Sequence, residues 1–210
     1  MAIFDSAIFQ NMSGSVGNVT TYKLGDKQVA RSKPFGKKNS KTLGQLQQRL
    51  RMKILLKLRR GFVSVLPVGY CTTSGKVCVN RFVKDNMKKV EVDEDLNVTL
   101  DLLTLSLSGG ELALPRVSAE IDTEGRRVMF RWDKQPLMPY MYKDDSLHGV
   151  VYESGKARSR CVVLGTRGVS GELAWELPKD WDAGKLVVYG FAVSADGKKA
   201  SGTIGVTKSL

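Results

Sequence analysis

Histidine is nearly absent from this chain of 210 residues, with His148 its sole representative. Motifs that need two imidazoles, such as a metalloprotease helix or a zinc finger with two cysteine and two histidine ligands, are thereby excluded. Any Ser-His-Asp or Cys-His relay would have to run through that one ring, and no Gly-x-Ser-x-Gly elbow or cysteine-nucleophile motif accompanies it. Beside Gly149 in a strand-like run, His148 reads as a structural or surface residue, not a base. Cysteine is scarce as well. Cys71, Cys78 and Cys161 are odd in number and stand at no zinc-finger spacing, so they read as reduced thiols of a cytoplasmic product, not as a disulfide framework. No run approaches the ~18 apolar residues of a bilayer span. The opening segment Met1 to Phe9 lacks a basic leader and a continuous apolar core, and does not read as a secretory signal.

Acids are missing from one part only. Residues 1–62 hold 13 of the 33 Lys and Arg against two acids, Asp5 and Asp26, so nearly all of the formal charge of +12 belongs to them. The remainder is close to neutral. This basic segment also carries Gly14, Gly17, Gly25, Gly36 and Gly44. A basic, glycine-rich leader ahead of a neutral body implies that one part contacts an anionic or shared surface while the other folds by itself.

Within the leader, Val19 to Lys23 and Gln28 to Ser32 flank Gly25-Asp26 and predict a β-hairpin, which is marginal alone and needs something to lie against. The glycines complete neither a phosphate loop nor a dinucleotide fingerprint, and read as turn residues. Thr42-Leu43-Gly44-Gln45 has capping-box spacing and predicts a helix start. Leu43, Leu46, Leu50, Ile54 and Leu58 then recur at helical spacing, Leu55 and Phe62 widen the stripe, and the helix is expected to end between Gly61 and Leu66. Arg49, Lys53, Lys57 and Arg60 line another face. With Lys37 and Lys38 they are the candidate partner-binding residues, although a charged helix face is often merely solvated.

These residues carry a resemblance. Met1-Ala2-Ile3-Phe4, Gly14-x-x-Gly17-Asn18-Val19 with Tyr22, Gly25-x-Lys27-Gln28-Val29-x-Arg31-Ser32-x-Pro34 and Thr42-x-x-Gln45-x-x-x-Arg49 resemble an uncharacterised family of small basic proteins from Bacteroidota, catalogued as a domain of unknown function. The likeness runs through the chain, weakly in the middle, and returns at Asp196-Gly197-Lys198-Lys199-x-Ser201. Where that family often has Asn-Pro-x-Thr before the helix, this chain has Asn39-Ser40-Lys41-Thr42. The resemblance implies a fold and a source, and no reaction.

Further along, Val79, Phe82 or Val83, Met87 and Val90 share a face of a second short helix. Asp93-Glu94-Asp95 reads as a solvated turn, and Leu96 to Leu107 as a strand. Beyond Leu112, seven short strands separated by turn signals are expected, with Phe130, Trp132 and Trp175 pointing into the core. Their number and spacing fit an immunoglobulin or fibronectin-type β-sandwich without a disulfide. The chain is therefore expected to be mainly β with a helical N-terminal part: a basic arm with a β-hairpin (1–40), a helical and connecting region (41–110) and a β-sandwich (111–210).

The carboxylate pairs Asp144-Asp145 and Asp180-Trp181-Asp182 sit in predicted loops, where acids serve turns. The sequence nominates no catalytic residue, no metal ligand and no cofactor. It favours a non-enzymatic structural or assembly protein that docks through its basic arm on a protein partner or on its own copies. Phage virions and other multi-subunit particles combine such parts, so a phage or mobile-element origin fits. The alternative is a nucleic-acid binder using the arm and helix 42–62. Against it, the leader offers only Tyr22 and Phe35 for stacking, and no named nucleic-acid motif.

Overall fold

The computed structural model describes residues 2–5, 11–33 and 42–206. Strand exceeds helix, 37% to 22%, so the protein is mainly β. Contacts divide it into two units, Met1–Lys41 and Thr42–Leu210.

The first unit is an antiparallel sheet of β1 (Ala2–Ile3), β2 (Gly14–Val16), β3 (Val19–Leu24) and β4 (Lys27–Ser32), in the order β1-β4-β3-β2. The expected hairpin is β3–β4, with Leu24 opposite Lys27 across Gly25-Asp26. Gly17 and Gly25, at φ 53° and 60°, each take the first place of a two-residue loop, where a side chain would be strained. The flanking strands β1 and β2, two and three residues long, are too short to leave a periodic signal in the sequence.

In the second unit, α1 (Leu43–Arg59) ends two residues before the expected range and runs into a 3-10 turn, Arg60–Phe62, that reaches it. The predicted capping box does not form: Thr42 is the N-cap by backbone, its carbonyl accepting from Leu46 N–H at 3.1 Å, with no bond from its side chain. Next come α2 (Leu66–Gly69), α3 (Gly75–Asn86) and a two-stranded ladder of β5 (Glu91–Val92) and β6 (Val98–Thr99). The strand expected over Leu96 to Leu107 is reduced to β6. A 3-10 turn at Leu102–Thr104 follows, started by Asp101, which accepts from Leu103 N–H at 2.9 Å. Leu105 and Leu107 are buried nonetheless. Buried Asn86 supplies what a neighbouring strand would have given, taking Ser106 N–H on Oδ1 and bonding Ser106 O through Nδ2, both at 2.8 Å.

The rest is two antiparallel sheets. One holds β7 (Val117–Asp122), β8 (Arg127–Trp132) and β11 (Gly171–Glu176), in the order β11-β8-β7. The other holds β9 (Ser146–Glu153), β10 (Arg158–Thr166), β12 (Leu186–Val193) and β13 (Ile204–Gly205), in the order β10-β9-β12-β13. They share a core of Val117, Val128, Phe130 and Trp132 from the first sheet and Leu147, Val151, Leu164, Val188 and Ala192 from the second. Trp175 is only half-buried and meets Trp181 edge-on, with ring centroids 5.8 Å apart. Gly149 admits Phe130, whose ring lies 2.6 Å from where a Cβ would stand.

The other face of β9 and β12 is covered too. Val150, Tyr152, Tyr189 and Phe191 belong to a second core with Leu55 of α1, Phe62, Leu66 of α2 and Phe82 of α3. Phe62 stacks on Tyr152 at 4.4 Å, and Tyr189 Oη donates to Leu102 O at 2.6 Å. The unit therefore has three layers: sheet, sheet and helices. Burial on both sides explains why β9 and β12 read as nearly continuous apolar runs without alternation.

Candidate interaction surfaces

Lys37 and Lys38 lie outside the described residues. Arg49, Lys53, Lys57 and Arg60 are all exposed along the outer side of α1 and the 3-10 turn after it. The buried side follows the expected stripe except at its first residue. Leu55 is the buried residue of α1, Leu50 and Leu58 pack against the core, and Leu43 is exposed. Arg51, by contrast, turns inward and donates from Nε to Val90 O at 3.0 Å.

The structure joins Arg60 to a second basic element that the sequence reading missed. The turn joining β9 to β10 approaches the 3-10 turn so closely that a Cβ on Gly61 would lie 2.8 Å from both Ala157 O and Tyr152 Cε2. Ser159 Oγ donates to Gly61 O at 2.6 Å and fixes the junction. The groove beside it, about 390 Å³, is lined by Arg60, Arg158 and Arg160 together with Ser64 and Asp180. Asp180 takes Lys156 Nζ at 2.9 Å and Arg158 Nη1 at 3.9 Å, and those bonds hold its carboxyl below the usual range. A signal was present: Lys156, Arg158 and Arg160 alternate, which on a strand puts them on one side.

A different surface lies between β8 and β9. Leu137, Met138, Tyr140 and Tyr142 are exposed, Leu137 at 76%. Their loop is held from beneath by Arg167, which is 1% exposed, as is its partner Asp145. Arg167 Nε lies 3.2 Å from Asp145 Oδ2, Nη1 donates to Gln135 Oε1 at 2.8 Å, and Nη2 donates to Ala113 O. Tyr142 N–H bonds Asp145 Oδ2 at 3.1 Å, and Ala113 N–H bonds Tyr140 O at 3.0 Å. Burial raises the Asp145 carboxyl, with Tyr142 N–H and the guanidinium opposing it. Asp144-Asp145 is thus a loop pair, as expected, but one of its members is a buried anchor.

His148 is buried, its ring parallel to Phe191 with centroids 5.3 Å apart. Ser146 Oγ donates to Val193 O at 3.2 Å and lies 3.0 Å from His148 Nε2, so Nε2 carries the proton. Nδ1 then faces the Cys161 thiol at 3.8 Å. Burial lowers the imidazole and raises the thiol to about 11, so the pair rests neutral, as imidazole and thiol. A neutral thiol is a poor nucleophile, and the pair works as packing with satisfied polar atoms. All three cysteines are free thiols. Among the described residues, no group of three or more His, Cys, Asp or Glu is placed to share a metal, and no helix is long and apolar enough to cross a membrane.

A family model described as a family of unknown function (DUF6266) matches residues 11–206. No curated protein and no solved structure matches the chain.

Proposed function

The chain belongs to this family of unknown function, DUF6266, and from the geometry of its surfaces we propose a non-enzymatic structural or assembly protein whose N-terminal unit docks on another protein, a further copy or a dedicated partner. One observation carries the reading. Among the described residues of the first unit, Val29 alone is buried, while Ile3, Val16, Val19 and Leu24 are exposed. Four short strands with one buried side chain lack a core of their own. Val16 and Val19 stand directly opposite each other in the β2–β3 ladder, and apolar side chains left open together on a sheet suit a surface that another protein covers.

The second unit supports the same reading. Its strand order, β7-β8-β11 in one sheet and β10-β9-β12-β13 in the other, supports reading it as a fibronectin-type sandwich, a stable body that presents loops at its ends. The anchored loop with Leu137, Met138, Tyr140 and Tyr142 has the aromatic and Met composition of interface cores. With this reading go the Bacteroidota source, the cytoplasmic synthesis and the incorporation into a virion or similar particle.

Light scattering on the full chain at low and high salt tests the proposal. Self-association that disappears when residues 1–40 are deleted, with the remainder still folded, is the expected result. A full chain that stays monomeric across concentration and salt overturns self-docking.

A further inference from the structure

From Lys27 to Lys84, 58 consecutive residues contain no Asp or Glu. All of α1 lies in that stretch, so its exposed bases meet no counter-charge on their own helix. Neighbouring elements supply none either. Among the described residues, no carboxylate lies within ion-pair distance of Arg49, Lys53, Lys57, Arg60 or Arg160. The one acid lining the groove, Asp180, is taken by Lys156 and Arg158.

The spacing is regular. Arg49, Lys53, Lys57 and Arg60 advance along the helix by steps of about 5–6 Å, roughly 16 Å in all. The row ends in the groove, where Arg158 and Arg160, alternating on β10 with about 7 Å of strand between their Cα atoms, add two guanidinium groups. Six cations thus form a track along one side of the unit, built from two elements about a hundred residues apart in sequence. Such a row suits a polymer of evenly spaced anions better than a single small ligand.

Two observations select the polymer. The exposed apolar side chains beside the row, Met52 and Leu56 at 40% and Val63 of the groove at 62%, stand among unpaired bases, whereas the core of a protein interface is depleted of charged residues. In the groove the one aromatic is Trp181, 5% exposed, so bases would find no stacking platform. We propose that the outer side of α1 and the groove formed by Arg60, Arg158 and Arg160 bind the phosphodiester backbone of duplex nucleic acid without reading its sequence. All six residues belong to the second unit, and the proposal does not depend on the assembly reading.

The test is fluorescence anisotropy of the full chain with a labelled random-sequence DNA duplex of about two helical turns, titrated at several salt concentrations. Binding should weaken steeply with salt, by about 0.9 in log–log slope for each phosphate neutralised. Replacing Arg60, Arg158 and Arg160 together by Gln should lower the slope by about two to three. Arg49, Lys53 and Lys57 replaced by Gln should do the same, which guards against a folding defect at the groove. Lys76, Lys84 and Lys88, exposed on or just after α3, are the charge-matched control, and their replacement should change the slope by less than about one. Equal losses in all three variants would mean diffuse charge and overturn the proposal, as would no duplex binding at low salt. Stronger binding to a single-stranded oligonucleotide, or equal competition by polyglutamate, would overturn it in favour of a stacking site or an acidic protein partner.

Discussion

At the scale of single residues, the buried polar groups decide how stability responds to solution conditions. His148 is held neutral in the fold, its value lowered by burial from the ordinary 6.5. Its contribution is fully present above the unfolded value and is lost as pH falls through the lower folded value, because the unfolded chain takes up a proton that the folded chain refuses. Chemical denaturation at pH 7.5, 6.5 and 5.5 should therefore show stability falling toward acid before most carboxylates titrate, which happens near pH 4. A His148→Gln variant should flatten that limb. Parallel declines in variant and parent would assign the effect elsewhere. From its solitude and strand-like setting the sequence left this histidine as a structural or surface residue, and its burial decides for the first. It gave no hint of Asn86 or of Asp145 with Arg167. Each is an ordinary polar letter whose role comes from partners about 20 positions away, Ser106 for Asn86 and each other for the ion pair, and no local period marks such a pairing.

Secondary-structure elements were legible where burial is one-sided. Along β8, Val128, Phe130 and Trp132 are buried while Arg127 and Arg131 face out, which places Phe130 and Trp132 in the core as expected. The short α3 is expected from Val79, Phe82 or Val83, Met87 and Val90; both Phe82 and Val83 are buried on it, and it ends at Asn86, before Met87 and Val90. Legibility failed at Leu96 to Leu107, where an apolar stretch is buried as irregular backbone, and at β1 and β2, which are too short to show a period. In the candidate site, the basic row of α1 was evident from helical spacing, whereas the groove needed the turn between β9 and β10 to be placed against Gly61. That junction makes a prediction for the pair of elements. A methyl group at position 61 would stand 2.8 Å from backbone at Ala157 O and from the Tyr152 ring, so one element must move. Overpacking of this kind costs about 1–3 kcal/mol, against at most ~1 kcal/mol gained from the better helix propensity of alanine. Gly61→Ala should therefore destabilise on balance, read as a lower denaturation midpoint at unchanged m value. A neutral or stabilised variant would mean that the two elements are not in firm contact.

For the whole second unit, the decisive feature is that β9 and β12 are shared by two cores. On one side, Val151 and Val188 meet Phe130 and Trp132 in the sandwich core; on the other, Val150, Tyr152, Tyr189 and Phe191 meet the helices. Fully burying one side chain of that size stabilises by about 1.5–3 kcal/mol. Four of them are comparable to the entire net stability of a domain, about 5–15 kcal/mol. Residues 42–210 should accordingly unfold in one cooperative transition, with helix signal and near-ultraviolet aromatic signal lost together. A fragment of residues 111–210 would uncover the side of β9 and β12 that the helices cover, a contiguous apolar surface flanked by the ring of His148. It should lose cooperativity, bind a hydrophobic dye or aggregate, whereas residues 42–210 should melt sharply. Thermal unfolding of the two fragments, followed by circular dichroism and dye fluorescence, decides the point. If the shorter fragment melted as sharply as the longer one, the helical layer would be an appendage to an independent sandwich, and the second core would contribute far less than its buried area implies.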